Sequence, residues 1–413
     1  MPLVKPFTGL RPVAGRAADV VAPPYDVVSE AEARALAQGR PYSFLHISRP
    51  EIDLPPGTDP YAPEVYAKAA ENLAAMVGEG VLARDLEPSF YAYRLTMGRH
   101  VQTGLVGAAS VAAYDTDRIK KHELTRPVKE DDRVRQIEAL NAQTGPVFLV
   151  YRKDDAIDGE LARVTASPPE VDVTARAGVR HELWRIGDPA AVERLTAAFD
   201  ALPALYVADG HHRSAAASRV CAARRGASPG HTGEEAYNYF LAVIFPHDQM
   251  QILDYNRLVK DLNGLDAEAF LQIVQRMFSV ERATAAVRPS RAGEFGMYLD
   301  GQWFRLVIDP ARVPYDDPVA RLDVSLLQDS LLGPVLGIGD PRRDERIDFV
   351  GGIRGLDELR ARVDAGSWRV AFAMFPTSME MLMAVADAGE MMPPKSTWFE
   401  PKLADGLVSH VLD

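Results

Sequence analysis

The sequence predicts an α/β protein, with an α+β mixed sheet, divided between two lobes. Segments typical of buried strands alternate along the chain with segments typical of amphipathic helices, which is the pattern of sheets covered by helices. The chain has 413 residues, and single hydrophobic cores stop growing at roughly 250–300 residues. We therefore expect an N-terminal lobe at residues 1–260 and a C-terminal α/β lobe at 261–413, with a boundary at residues 258–264.

The N-terminal half begins with proline-rich turns and continues with strands. Ser29 followed by Glu32 is a capping-box pattern, which predicts the start of a helix. Thr125 is expected to cap another helix, because Pro127 suits a first helical turn. Further helices are predicted at residues 66–79, from Asp188-Pro189 to before Pro203, and directly after residue 210; strands are predicted at 89–96, 104–114, 147–151, 205–208, 239–245 and 250–254.

The C-terminal half alternates short helices and strands. Residues 297–306 contain an Asp-Gly pair between two apolar runs, which predicts a hairpin. Helices are predicted at residues 266–278, 324–332, 356–363 and 378–388, and strands at 347–350 and 369–374. Residues 391–402 are too rich in proline for regular structure to be expected, so they are predicted to form a packed tail or a substrate-facing loop.

Composition and charge narrow the functional classes. The net charge of -12 repels phosphate backbones, and no long basic stripe is present, so no nucleic-acid partner is expected. No apolar run reaches the ~20 residues that span a bilayer, and no secretion signal is evident, so we expect a cytoplasmic protein without a membrane partner. The single cysteine, Cys221, excludes an intrachain disulfide.

Residues 209–213 form the strongest candidate site. A strand that ends at Asp209 and Gly210 and passes directly into a helix leaves backbone N–H groups that favour an anion, most often phosphate. His211, His212 and Arg213 add hydrogen-bonding or cationic side chains in the first turn, and Arg213 can bind phosphate oxygens in pairs. Asp209 could hold a divalent ion such as Mg²⁺, or orient a histidine. A solvated helix start is the structural alternative.

A second polar cluster follows the strand at 104–114. His122 and Glu123 are suitable general bases, and Lys121 and Arg126 suit phosphate oxygens. A run of charges is equally typical of a solvated face. The sequence alone does not tell whether this cluster meets the Asp209 turn.

Four separate segments, taken together, resemble one protein family. Residues 22–27, 121–127, 208–213 and 392–402 occur in the order that marks domain-of-unknown-function family 1015. The resemblance extends from about residue 5 to residue 410. It predicts family membership and conveys little biochemistry.

The turn at residues 209–213 also resembles the signature turn of the ParB/sulfiredoxin superfamily, which includes free-serine kinases. The resemblance implies a ParB/sulfiredoxin-like core in which this turn binds nucleotide phosphates. In those kinases a glutamate is the base that activates the serine hydroxyl. Glu123 is our candidate for that base by its chemistry.

These observations predict a nucleotide-dependent phosphotransferase that acts on a small hydroxylated metabolite, with free L-serine as the leading candidate. ATP or ADP with Mg²⁺ would be the cofactor. Glu123 or His122 would accept the proton of the hydroxyl, and the turn would bind the phosphates. Two alternatives remain open: a metal-dependent phosphohydrolase, and a non-catalytic sensor that binds a nucleotide or an amino acid.

Overall fold

The computed structural model describes residues 1–175 and 178–413. The chain forms two compact units: the first comprises Met1–Met250 together with Pro401–Asp413, and the second comprises Gln251–Glu400. This division differs from the predicted one, which placed a single boundary at residues 258–264 and ran the second lobe to residue 413. The mixed α/β class is confirmed by the sheets and helices of both units.

The strands of the described residues are, in chain order, β1 (Val4–Lys5), β2 (Gly9–Pro12), β3 (Leu82–Arg84), β4 (Phe90–Met97), β5 (His100–Ser110), β6 (Ile119–Lys120), β7 (Ala142–Gln143), β8 (Val147–Tyr151), β9 (Val171–Thr174), β10 (Arg180–Ile186), β11 (Leu205–Asp209), β12 (Tyr239–Pro246), β13 (Gln251–Leu253), β14 (Tyr255–Val259), β15 (Phe278–Ala283), β16 (Glu294–Leu299), β17 (Gln302–Ile308), β18 (Ile347–Gly351), β19 (Val370–Ala373), β20 (Trp398–Glu400) and β21 (Ser409–Val411). The α-helices are α1 (Ala17–Val20), α2 (Glu30–Ala37), α3 (Leu45–Ser48), α4 (Pro63–Gly78), α5 (Val111–Asp115), α6 (Pro127–Leu140), α7 (Asp155–Val164), α8 (Pro189–Ala201), α9 (His211–Ala227), α10 (Ala267–Val274), α11 (Asp323–Leu327), α12 (Gly355–Asp364) and α13 (Met379–Asp387).

The first unit is built on a mixed sheet in the order β6-β11-β8-β12-β5-β4-β10-β9, and β1 also pairs with β5. β6 runs parallel to β11 and β8 runs parallel to β12, whereas the other pairs are antiparallel. Every residue of β8 is buried, as a strand inside a sheet covered on both faces requires. The sequence prediction for this strand is confirmed.

A second sheet of the first unit, in the order β3-β2-β21-β7, brings the end of the chain back to its beginning. His410 of β21 lies opposite Gly9 of β2 on one side and Gln143 of β7 on the other. This pairing explains why the C-terminal segment belongs to the first unit. Strand pairing over this sequence distance leaves no local signal in the sequence.

The second unit contains a sheet in the order β15-β17-β16-β19-β14-β18 and the separate pair β13-β20. The predicted hairpin is β16–β17, whose turn residues Asp300 and Gly301 have φ values of 49° and 78°. Positive φ at both positions is typical of a type I′ turn, for which Asp-Gly is a preferred pair. This prediction is confirmed.

Four local predictions are wrong, and three of them concern the residue at which a strand or helix begins or ends. The run at 104–114 leaves the strand at Ser110, whose hydroxyl accepts a hydrogen bond from the Ala113 N–H at 3.2 Å and starts α5. The N-cap of α6 is Arg126 rather than Thr125, since Pro127 occupies the first helical position. The helix predicted at 266–278 ends at Val274, and Phe278 begins β15.

The proline-rich segment near the C-terminus is the fourth correction. Trp398–Glu400 forms β20 and pairs antiparallel with β13. The prolines at 394 and 401 bound this strand without entering it, so they do not remove its hydrogen bonds. In the described part of the chain, every helix is too short or too polar to span a bilayer.

Candidate functional site

Parallel pairing of two short strands brings the two polar clusters of the sequence together. Tyr206 of β11 lies opposite Lys120 of β6. Because parallel strands end at the same edge of a sheet, the loop after β6 and the turn after β11 emerge side by side. Residues 121–126 therefore meet residues 209–213, which the sequence alone left open.

The turn that follows β11 has the backbone geometry of an anion-binding helix start. Gly210 has φ 96°, a left-handed conformation that glycine adopts without strain. The first helical hydrogen bonds run from the N–H groups of Arg213 and Ser214 to the carbonyl of Gly210, at 2.8 and 3.0 Å. The N–H groups of His211 and His212 therefore precede the hydrogen-bond ladder of α9, at the positive end of its dipole.

Two histidines pack against each other behind this turn. The rings of His122 and His211 meet edge to face, with their centroids 4.5 Å apart. Burial, reinforced by the neighbouring imidazole, lowers the pKa of His122 to about 3, and burial lowers the pKa of His211 to about 4. No described residue forms a well-aligned hydrogen bond to either ring nitrogen of His122 or to Nε2 of His211. Both imidazoles are therefore neutral at physiological pH.

Glu123 and His212 form the exposed side of the same cluster. Glu123 Oε2 lies 3.7 Å from Nδ1 of His211, and the Glu123 side chain keeps 40% of its surface exposed. The Arg126 N–H donates to Nε2 of His212 at 3.0 Å, so that imidazole carries its proton on Nδ1. The site thus presents the accessible carboxylate of Glu123 beside a neutral histidine pair.

Asp209 is held between two cations. Its Oδ2 lies 3.1 Å from Nζ of Lys402, and its Oδ1 lies 3.8 Å from the guanidinium of Arg213. Burial alone would raise the pKa of Asp209, but Lys402 and Arg213 outweigh it and hold this pKa below its usual range. The guanidinium of Arg213 also donates to the carbonyl of Pro146 and lies 3.7 Å from the carboxylate of Asp26.

Arg213 is also part of the lining of a cavity of about 30 Å³. The cavity is lined by Tyr25, Ser48, Arg133 and the buried Asp405, among others. Burial raises the pKa of Asp405 to about 7, and neither its Oδ1 nor the hydroxyl of Ser48 meets a hydrogen-bond partner among the described residues. The volume suits one or two groups of the size of water.

The structure does not bring every predicted residue to the turn. The ammonium group of Lys121 donates to the carbonyl of Tyr114 at 3.0 Å and lies 3.5 Å from Asp117. Arg126 contributes its backbone N–H, and its side chain is exposed. His122 is fully buried, so it supports His211 and does not face a ligand.

Sequence reasoning missed several residues of the site. Lys402, Asp405, Tyr25 and Asp26 all contact or surround Arg213 and Asp209. Two of the segments that carry them stand out in the sequence: residues 23–26 belong to the proline-rich turns of the N-terminal half, and residues 391–402 are predicted to form a packed tail or a substrate-facing loop. Their polar side chains next to prolines were the available signal.

The charges around Asp209 disfavour the binding of Mg²⁺ to this carboxylate. Both oxygens of this carboxylate already face cations, which would repel a divalent ion. In the described ranges, no group of three or more histidine, cysteine or acidic side chains could hold a metal. The Mg²⁺ assignment to Asp209 stays a prediction.

The fold and the site together define a mixed α/β protein in which β11 passes through Gly210 directly into α9. The profile of the family described as "Protein of unknown function (DUF1015)" matches residues 4–325, and the chain belongs to this family. The family prediction from the sequence is confirmed. No curated protein matches the sequence.

Three solved structures align with much of this chain at low identity. A free serine kinase mutant in complex with AMP has a TM-score of 0.35 and 13% identity, over 68% of this chain and 84% of that chain. SbnI from Staphylococcus aureus, with a C-terminal truncation, has a TM-score of 0.37 and 12% identity, over 73% of this chain and 85% of that chain. A conserved hypothetical protein from Pyrococcus furiosus has a TM-score of 0.34 and 13% identity, over 75% of this chain and 96% of that chain. TM-scores in this range are too low to carry a functional argument.

Proposed function

We propose that this protein is a nucleotide-dependent phosphotransferase whose acceptor is a small hydroxylated metabolite. The observation that carries the proposal is the meeting of Glu123 with the turn at the start of α9, at a distance of 3.7 Å from His211. An accessible carboxylate beside a set of anion-binding groups supplies the two parts that phosphoryl transfer to an alcohol requires.

The anion-binding part consists of the backbone at the start of α9 and the side chains of Lys402 and Arg213. The N–H groups of His211 and His212 and the helix dipole favour phosphate oxygens. Lys402 is the more accessible cation, with 23% of its side chain exposed against 10% for Arg213. In this proposal, Lys402 binds the transferred phosphoryl group, and Arg213 mainly holds Asp209 in position.

The proton-accepting part is Glu123. In the transfer, the acceptor hydroxyl forms a new bond to phosphorus, the bond from phosphorus to the leaving oxygen of the nucleotide breaks, and Glu123 takes the hydroxyl proton. His211 lies 3.7 Å from this carboxylate, and burial lowers the pKa of His211 to about 4, so that its imidazole stays neutral beside Glu123 at physiological pH. Our sequence analysis allowed Glu123 or His122 as the base; the full burial of His122 favours Glu123.

The test is a product search with purified full-length protein. ATP or ADP, with and without Mg²⁺, is incubated with a panel of hydroxylated metabolites, and phosphorylated products are identified by mass spectrometry. L-Serine is the first acceptor to test, because the turn at residues 209–213 resembles that of free-serine kinases. Glu123→Gln should lower kcat by about 10²- to 10⁴-fold and should leave nucleotide binding intact.

Glu138→Gln is the matched control, since Glu138 is exposed on α6 and this change removes the same charge. Its turnover should equal that of the wild type. Full turnover by Glu123→Gln would contradict the assignment of the base. Phosphate release without an acceptor product would instead support a phosphohydrolase, and saturable nucleotide binding without any product would support a sensor.

A further inference from the structure

We infer that the cavity lined by Arg133 and Arg213 is a binding site for one carboxylate group. All of its lining residues belong to the first unit. The site is separate from the backbone N–H groups of His211 and His212, which the proposed function uses for phosphate. The inference goes beyond the proposed function and does not require phosphoryl transfer.

The two guanidinium groups of the lining keep donors that no described residue uses. Arg133 donates from Nε and Nη2 to Asp132, at 3.1 and 2.7 Å, which leaves its Nη1 without an acceptor among the described residues. Nη2 of Arg213 lies 3.7 and 3.8 Å from the carboxylates of Asp26 and Asp209. These distances are too long for hydrogen bonds. The planar fork of a guanidinium with free N–H groups matches the two oxygens of a carboxylate.

Two hydroxyl groups of the lining are an independent sign of a ligand. Thr144 is 8% exposed and Tyr25 is half-buried, and neither hydroxyl forms a hydrogen bond with a described residue. Unlike the hydroxyl of Ser48, which its neighbours seal off, both of these oxygens keep accessible surface. Buried polar groups without a partner are rare, and a hydroxyl can turn its proton towards an anion. The lining therefore offers further donors beside the guanidinium groups.

These donors are held in place before a ligand binds. The guanidinium of Arg133 lies 3.9 Å from the centre of the Tyr25 ring, in a cation–π contact. Gly145 lets the loop that carries Thr144 approach Arg213 closely, since a Cβ at this position would lie 3.3 Å from Cδ of Arg213. Fixed donors lose little conformational entropy on binding, which favours even a small ligand.

The size of the cavity limits the ligand group. Its volume of about 30 Å³ suits one or two groups of the size of water, which matches the two oxygens of one carboxylate. A phosphate group has more oxygens than this space accommodates. The carboxylate therefore belongs either to a small free acid or to a larger molecule whose remainder lies outside the cavity.

Asp405 makes binding at this site depend on pH. It is the one acid in the described lining, and the charged groups that face it are Arg213, Arg133 and Asp26. The phenol of Tyr93 also lies near and stays neutral, because burial raises its pKa. Burial raises the pKa of Asp405 to about 7. Below this pH Asp405 is protonated, whereas above it the charged Asp405 repels a bound carboxylate, so affinity should fall as the pH rises.

The experiment measures binding of isotopically labelled formate to the full chain by NMR line broadening. Competitors at equal ionic strength are L-serine, L-serinamide and NaCl. We expect saturable binding of formate at pH 6 that chloride does not displace. Displacement by L-serine supports the site as a receptor for the carboxylate of a larger molecule, and binding of formate without displacement by L-serine supports a small free acid.

Two variants and their matched controls test the lining. Arg133→Gln should bind formate about tenfold or more weakly, whereas Arg135→Gln, an exposed change on the same helix, should bind as the wild type does. The double variant Tyr25→Phe, Thr144→Val removes only the two hydroxyls and should bind severalfold more weakly. Thr174→Val, at an exposed position of β9, is its control. Circular dichroism verifies folding, and the double variant keeps the test decisive if Arg133→Gln does not fold.

A pH series completes the test. The affinity of the wild type for formate should fall severalfold between pH 6 and pH 8, and that of Asp405→Asn should not. No saturable formate binding, displacement by L-serinamide as strong as by L-serine, or unchanged affinity in both lining variants would overturn the inference. Because nucleotide binding and turnover are not measured here, a negative result would leave the proposed phosphotransferase standing, and a failed product search would leave this site standing.

Discussion

Replacement of Asp405 by asparagine should stabilise the first unit more at alkaline pH than at acidic pH. Asp405 is 1% exposed, and burial raises its pKa from 3.8 to about 7 in the folded protein. An acid whose folded pKa is raised binds its proton more tightly in the folded state. The unfolding free energy that this group contributes therefore falls as the pH rises from about 4, and the loss is complete above about pH 7.

The magnitude follows from the two pKa values. Between pH 5 and pH 8, the wild type should lose about 3 kcal/mol of unfolding free energy through this one group. Asparagine has nearly the same shape and stays neutral, so the variant should not show this loss. The stability difference between variant and wild type should therefore grow by about 3 kcal/mol over that range.

Urea unfolding at a series of pH values measures this difference, because contributions from the other titrating groups cancel between the two proteins. Asp413→Asn is the matched control: Asp413 lies in the same C-terminal segment but is 62% exposed and pairs with Arg84 at the surface. Its effect should stay below about 1 kcal/mol. A difference for Asp405→Asn that does not change with pH would refute the burial argument.

Three further changes test the turn and its surroundings. Lys402→Met removes the closest cation from Asp209 and should weaken nucleotide binding by about tenfold or more in calorimetry; unchanged affinity would contradict the role of Lys402. Gly210→Ala places a side chain at φ 96° and should cost about 1–2 kcal/mol in urea unfolding. Gly226→Ala, in the last turn of α9, should be neutral or stabilising, because a side chain there meets open space. Between pH 6.5 and pH 4.5, the wild type should lose about 2–3 kcal/mol of unfolding free energy, because His122 takes up a proton in the unfolded chain but stays neutral where it is buried in the folded protein. His122→Leu should not show this loss. An equal loss at acidic pH in both proteins would exclude this explanation.

Features encoded by neighbouring residues were predictable. The capping box of Ser29 and Glu32 is present at the start of α2, and the Asp-Gly hairpin forms as expected. The strand, turn and helix around Gly210 also follow the sequence. In each case, the structure depends on backbone preferences and hydrogen bonds within a few residues, and these are visible in a single sequence.

Other local predictions were wrong because a cap or a distant strand partner stabilised a different structure at the same residues. The small apolar run after residue 104 suits a strand, but the strand ends at Ser110, whose hydroxyl accepts a hydrogen bond from the Ala113 N–H and caps α5. Residues 391–402 were expected to be irregular because of their prolines, yet β20 forms between two of them. Partners for such short strands lie far away in the sequence.

The sequence by itself determined the strand–turn–helix with its histidines and arginine, the mixed α/β class and the family. Only the tertiary structure decided that Glu123 reaches His211, through the parallel pairing of β6 with β11. It also decided that β21 pairs with β2 in the first unit, and that Lys402 and Asp405 lie at the site. The physical reason is distance along the chain. Turns and caps are stabilised by neighbours in the sequence, whereas the charges of the site interact through space between distant segments, such as Asp209 and Lys402, which are 193 residues apart.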